Sequence, residues 1–172
     1  MGDPVVIKTF RNAALGALIL AAGPALTEEI TIEAVMVPQE QMRLDFEDGS
    51  NHFVLMVRRE GTAGGSGILD GAEVTEHGWH DIQPGTGGDP RGYLTFDTDE
   101  GLVYVQFRVR AVFVPDEAGG MRLLDNGYWE VVGATGAHEG LQGAGTLHIT
   151  PAPAPAAAPD RLFRLDGELV AG

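Results

Sequence analysis

From Ile30 onward apolar and polar residues alternate with a period of two, the repeat of a half-buried strand and not of a helix. "ITIEAVMV" (30–37) stops at Pro38, which has no N–H to give a sheet ladder. "QMRLDFED" (41–48) sets Met42, Leu44 and Phe46 on one face and Arg43, Asp45 and Glu47 on the other. "DGSN" (48–51) turns the chain into "HFVLMVRRE" (52–60), apolar on both faces up to Arg58 and so predicted to be central. "GTAGGSG" (61–67) reads as a loop or bulged strand. "ILDGAEVTEHGWHDI" (68–82) reads as extended, with bulges at Gly71 and Gly78, and "QPGTGGDPRG" (83–92) as a loop.

The clearest hairpin is "YLTFDTDEGLVYVQFRVRAVFV" (93–114), turning near Thr98–Gly101. Val103, Val105, Phe107, Val109, Ala111 and Phe113 form an apolar face. Leu102, Tyr104, Gln106, Arg108 and Arg110 form the other. Six apolar positions in a row are costly to leave in water, which favours the apolar face inside and the polar one solvated. In the reverse arrangement Arg108 pairs with Glu130, and Tyr104, Tyr128, Trp79 and Trp129 wall a pocket. The ligand-binding candidates are therefore Tyr104, Gln106, Arg108, Tyr128, Glu130, Trp79 and Trp129; no catalytic residue is assigned.

"NGYWEVVGATGAHEGLQGAGTLHIT" (126–150) begins as a strand, with Tyr128, Glu130 and Val132 opposite Trp129 and Val131. Gly136, Gly140 and Gly143 are then placed to take positive φ at a corner. Gly143 and Gly145 are two apart and leave bare backbone on which an aromatic ring can lie flat. Leu147 and Ile149 resume the strand. "TPAPAPAAAPD" (150–160) is a polyproline-like spacer, and "RLFRLDGELV" (161–170) a last strand. Eight to ten short strands with glycine-rich corners suit an antiparallel barrel or sandwich, and repeated bulges favour the barrel. The predicted division is 1–27 signal peptide or helix, 28–150 barrel, 151–160 linker and 161–172 C-terminal strand.

At the N-terminus, Lys8 and Arg11 precede the apolar run Ala13–Ala22, and Gly23–Pro24 break it. This is the layout of a secretory signal, with cleavage between Ala25 and Glu28. The alternative is an ordered helix with Phe10, Ala14, Ala17 and Ala21 along one stripe, serving as a cap or an anchor to a membrane or complex. The first reading implies a periplasmic or secreted bacterial protein, the second a cytoplasmic one.

A chain of 172 residues supports one domain with a substantial core. Its net charge of -14 and single lysine oppose binding to phosphate backbones, so nucleic acid is not an expected partner. With no cysteine, disulfides, thiolate metal sites and cysteine nucleophiles are excluded. In "EHGWHDI" (76–82) a strand sends His77, Trp79 and Asp81 one way and His80 the other, so the two histidines do not share a metal. "DTDEG" (97–101) lacks EF-hand spacing, and neither a phosphate loop nor a serine nucleophile elbow is present. No metal and no cofactor are expected.

Gly133, Thr135, Gly136, Gly140, Leu141, Gly143 and Gly145 fall in a pattern that resembles the closing strands of allene oxide cyclase-like β-barrels. "GYLTFDTDEGLVYV" (92–105) is similar to a hairpin of uncharacterised secreted bacterial members, with Glu100 where a second acidic or a small residue is expected. The resemblance is good over 92–150 and rests on pattern alone over 30–90. It implies a calycin-type barrel in a group that includes plant allene oxide cyclases, dirigent proteins and some polyketide cyclases. The signal-like N-terminus and the lack of a convergent acid–base set favour a non-enzymatic exported barrel that binds an apolar small molecule or serves as an accessory subunit, with homo-oligomerisation open. A cyclase or isomerase that shapes a polyene or polyketide-type intermediate is the alternative.

Overall fold

The computed structural model describes residues 26–172 apart from Ala118 and Ala157. The segment read as a signal peptide or helix falls outside the described residues except for its last two, which lead into the first strand. Ten strands follow in order: β1 (Thr27–Asp45), β2 (Phe53–Thr62), β3 (Gly64–Gly65), β4 (Glu73–Gln83), β5 (Gly87–Gly88), β6 (Arg91–Thr98), β7 (Gly101–Pro115), β8 (Met121–Ala134), β9 (Gln142–Pro151) and β10 (Arg161–Val170). All pairings are antiparallel and belong to one sheet, in the order β10-β9-β8-β7-β5-β4-β2-β1-β3, with β6 between β4 and β7 and a further pairing of β10 with β1.

The predicted single antiparallel β-barrel of calycin type is corrected: the strands form one antiparallel sheet that does not close into a complete barrel. β1 does not run between the same two neighbours along its length: Thr27–Met36 pairs with β10 and Val37–Asp45 with β2. Two of the strands are only two residues long. The inner face is filled by packed side chains and not by a ligand cavity, with Ile32, Met36, Leu94, Phe96, Phe107, Trp129, Leu147 and Phe163 almost wholly buried. Among the described residues the only helical element is the single 3-10 turn Gly136–His138.

The two segments predicted on either side of Pro38 are one strand. Its pairing slips between Pro38 and Glu40, where the missing proline N–H is accommodated by a bulge. A slip of one residue exchanges the faces of everything beyond it. Before the slip, Ile30, Ile32, Ala34 and Met36 point inward and are buried. After it, Met42 and Leu44 keep the same parity yet stand 62% and 57% exposed. The alternation of β7 is resolved as the cost of exposure requires: Val103, Val105, Phe107, Val109 and Ala111 are buried, while Arg108 and Arg110 are exposed. The strand predicted over 68–82 begins only at Glu73, because Gly67 and Gly71 take φ of +82° in a preceding turn. Gly78 is not bulged; it sits in register between Val57 and Gly92.

The glycine-rich stretch 126–150 divides its glycines between two tasks. Gly136 (φ +65°) and Gly140 (φ +86°) turn the corner in left-handed conformations. Gly143 does not; a Cβ there would lie 2.6 Å from both the Glu168 carbonyl oxygen and Leu169 Cδ2, so it serves close packing. Gly145 and Gly167 do the same for Trp129: a Cβ on either would come within 2.8 Å or 2.6 Å of the indole. Trp129 is opposite Gly145 in the β8–β9 ladder and is fully buried.

Gly136→Val places a β-branched side chain at positive φ and its Cβ 2.2 Å from the Glu100 carbonyl oxygen. The expected result is a loss of at least about 2 kcal/mol of stability, read by thermal denaturation. Unchanged melting would contradict this assignment of the corner.

Candidate functional site

Register converts the sheet's outer face into two rows of side chains. Met42 is opposite Met56, Met56 opposite Trp79, Trp79 opposite Arg91, Arg91 opposite Arg108, and Arg108 opposite Tyr128. Glu40, Arg58, His77, Tyr93, Gln106 and Glu130 make the parallel row by the same pairings. Directly opposed side chains on neighbouring strands lie about 5 Å apart, so each row is a line of contacts. Between them runs an open groove of about 700 Å³, lined from Glu40 on β1 to Arg108 on β7. That volume lies within the usual range for small-molecule sites.

Along the first row the groove is apolar from Met42 to Trp79 and cationic at Arg91 and Arg108, with Glu40 and Arg58 lining it beside Met42 and Met56. Met42, Trp79 and Tyr93 are 62%, 39% and 49% exposed, a grouping of large apolar surface that an isolated monomer has no folding reason to present. Gly78 and Gly92 lie among its lining residues. The second row is largely satisfied within itself: Arg58 Nη2 donates to Glu40 Oε1 at 3.0 Å and its Nη1 to Glu60, and Gln106 Nε2 donates to the Tyr93 hydroxyl at 3.3 Å. The hydrogen bonds to Glu40 and then Glu60 push the Arg58 pKa up. In the first row the situation differs. Arg43, Arg58, Arg59, Arg110 and Arg164 each form an ion pair, but neither Arg91 nor Arg108 forms one with any described residue.

Of the residues nominated from sequence, Trp79, Gln106 and Arg108 meet in this groove. Tyr128 stands one strand further on, half exposed, and Glu130 and Tyr104 share the outer face without lining the groove. Glu130 makes no ion pair with Arg108. Trp129 is in the core and belongs to no surface site. Sequence reasoning missed Met42, Met56, Arg91 and Tyr93, because each requires a cross-strand register to be placed. The proline at 38, which displaces the alternation, was the one available signal for Met42.

A second group of polar residues lies on the inner face. Arg59 is opposite Glu76, and Glu76, Gly78 and His80 share one side of β4. Arg59 Nη1 donates to Glu76 Oε2 at 2.6 Å, and His80 Nε2 lies 2.9 Å from Glu76 Oε1. The latter contact requires the His80 proton on Nε2, so the 3.3 Å approach of Arg59 Nη1 to the same nitrogen brings two donors together over one carboxylate. A Cβ on Gly78 would lie 2.3 Å from Glu76 Oε1 and 2.6 Å from His80 Nε2; only glycine leaves room for this bond. Burial acts to raise the Glu76 pKa, but His80 and Arg59 outweigh it and hold the carboxyl below its ordinary value. Asp125 and Arg161 stand close enough for their charges to be felt. Burial pushes the Asp125 carboxyl up to about 6, against the opposing influence of His80 and Arg161. Its Oδ1 is buried with no hydrogen-bond partner. Among the described residues no three His, Asp or Glu side chains converge as metal ligands.

No protein-family model matches this chain, and no curated protein matches it. Solved structures do. A beta-barrel like protein from Acinetobacter baumannii AYE aligns at 9% identity with a TM-score of 0.52, covering 88% of this chain and 99% of the other. The pterocarpan synthase dirigent protein GePTS1 aligns at 13% identity with a TM-score of 0.51, covering 95% and 99%. A conserved protein of unknown function from Rhodopseudomonas palustris aligns at 14% identity over 87% and 99%, with a TM-score of 0.48. The likeness is one of fold alone.

Asp125 has a testable consequence. Its pKa in the fold lies above the ordinary 3.8, so the folded protein binds this proton more tightly than the unfolded chain. Its destabilising effect is therefore absent well below pH 4, grows as pH rises from about 4 to about 6, and stays constant above that. Asp125→Asn is expected to raise stability at pH 8 by roughly 1–3 kcal/mol and to leave it unchanged at pH 3, read by denaturant unfolding at both values. An equal effect at the two values would remove the assigned cause.

Proposed function

We propose that this protein is a non-enzymatic binding protein that holds an apolar aromatic small molecule in the groove on its outer sheet face. The observation that carries this is the alignment of Met42, Met56 and Trp79 across three strands, Met42 and Trp79 exposed and Met56 half-buried beside Tyr93. Flat aromatic and thioether surfaces hold an arene by dispersion and desolvation, and Trp79 offers the largest such surface there. The filled inner face supports the outer site over an internal one.

The reading includes export. The order of Lys8 and Arg11, the apolar run from Ala13 and the break at Gly23–Pro24 supports a secreted or periplasmic protein. The intact mass of protein from its own host should lack about 26 N-terminal residues, the length set by that pattern; a full-length mass would contradict export. A cyclase or isomerase, akin to members of the allene oxide cyclase-like group, is the second reading. The observation favouring it is Asp125, an acid with a pKa of about 6 beside His80 and Arg161. It ranks second because the cluster is closely packed and 5–8% exposed at Arg59, His80 and Asp125.

N-phenyl-1-naphthylamine, a neutral probe that fluoresces when desolvated, tests the groove. Saturable binding at one site is expected, weakened at least about tenfold by Trp79→Ala, the scale of losing one aromatic anchor. Equal affinity in the two proteins would overturn the reading. So would a wild type that fails to bind the probe and sediments as a dimer that Trp79→Ala dissociates, since a second copy would then be the occupant.

A further inference from the structure

Arg91 and Arg108 stand directly opposite each other on β6 and β7, both exposed, and neither pairs with a described carboxylate. Like charges in directly opposed positions destabilise a sheet. In this chain the arrangement is harder to attribute to chance, because acidic side chains are abundant. There are 25 Asp and Glu against 11 Lys and Arg. Three other arginines on exposed faces have found partners, Arg110 with Asp89 at 3.0 Å, Arg164 with Glu33 at 3.0 Å and Arg58 with Glu40. Arg122 also forms no ion pair with a described residue, but it stands alone and not opposite a second arginine. The row containing Arg91 and Arg108 offers Trp79 on one side and Tyr128 on the other, and no carboxylate. An acidic protein has thus concentrated unneutralised positive charge beside the apolar stretch of the groove.

The geometry points to an aromatic carboxylate as the ligand: a planar arene lying along Met42, Met56 and Trp79 with its anionic group between the Arg91 and Arg108 guanidiniums. This rests on the groove reading above and adds its ligand class. Guanidinium matches a carboxylate with parallel hydrogen bonds, and two of them flank an anion more tightly than one. Trp79 is opposite Arg91, so the arene and the anion are recognised by adjacent positions of one row. Binding the anion also relieves the repulsion between the two arginines. The free site therefore carries a stability cost that the ligand removes. The chain's net charge of -14 makes an anion an unfavourable partner almost anywhere else on its surface, so the pair sets selectivity as well as affinity.

The test compares 2-naphthoate with its neutral analogue 2-naphthamide by isothermal titration calorimetry at pH 7.5, on the full chain and on the double variant Arg91→Gln/Arg108→Gln. The wild type is expected to prefer naphthoate by at least about tenfold, and the double variant to show a ratio near one. With no ligand present, the double variant is expected to melt at the same temperature as the wild type or higher, since only a repulsion is removed. Equal affinity for both compounds in the wild type, with Trp79→Ala weakening both, would overturn the anionic ligand class and leave the groove reading standing. Two compounds that give no heat, or that bind Trp79→Ala as well as the wild type, would overturn the groove reading and this inference with it. A double variant that keeps the tenfold preference would also overturn the inference, by placing the anion elsewhere.

Discussion

The period of two, with its break in β1 at Pro38–Glu40, governs what this molecule presents to solvent. In a sheet with one filled face, each residue's parity decides whether it is core or surface. β1 obeys one parity through Met36 and the opposite one from Met42. Had the ladder continued without the slip, Met42 and Leu44 would extend the core stripe and the odd-numbered Arg43 and Asp45 would take the outer face. The bulge instead delivers two apolar side chains to the outside, next to Met56 and Trp79. The groove is a product of that displacement.

Beneath it, the core provides a rigid base. Each fully buried Leu, Ile or Phe contributes roughly 1.5–3 kcal/mol relative to exposure, and among the described residues the core cluster holds eleven of them. Trp129 locks β8 to β9 and β10 by lying against Gly145 and Gly167, where no other residue leaves space for its ring. The rows on the outer face inherit their spacing from these ladders. Arg91 and Arg108 are held opposite each other by strands whose inward residues, Leu94, Phe96, Val105 and Phe107, are almost wholly buried. The repulsion between the two guanidiniums is small beside the packing that fixes them.

The buried Arg59–Glu76–His80 group answers to another requirement. A carboxylate at 0% exposure is tolerated only when charged partners and hydrogen bonds replace water, and Arg59 and His80 supply both. Gly78 makes the His80–Glu76 bond sterically feasible, while its backbone lines the groove on the opposite face. One glycine thus serves an inner ion pair and an outer binding surface.

Much of the strand content was legible because alternation is a local property. The apolar face of β7 and the inward Leu147 and Ile149 follow from it directly, whereas Trp129, nominated as a pocket wall, lies in the core. His77 and His80 diverge for the same reason. The continuity of β1 through Pro38 was not legible, since proline normally ends a strand and the compensating bulge is a matter of pairing. Gly143 was misread as a corner residue because a sequence does not distinguish a glycine needed for its φ from one needed for its missing Cβ. A closed antiparallel barrel was expected from bulge-rich strands, but closure and the length over which β1 keeps one partner are set by register. The arginine pair was half visible: Arg108 was nominated, while Arg91 sat in a segment read as loop.

The two tryptophans allow the central claim, that the ligand site lies outside the sheet and not within it, to be tested on one sample. Trp79 lines the outer groove and Trp129 lies in the core. With both replaced biosynthetically by 5-fluorotryptophan and the resonances assigned through Trp79→Phe, 2-naphthoate is titrated and followed by fluorine NMR. The account predicts that the Trp79 signal moves to saturation while the Trp129 signal stays in place. A shift confined to Trp129 would put the ligand inside the sheet and contradict it.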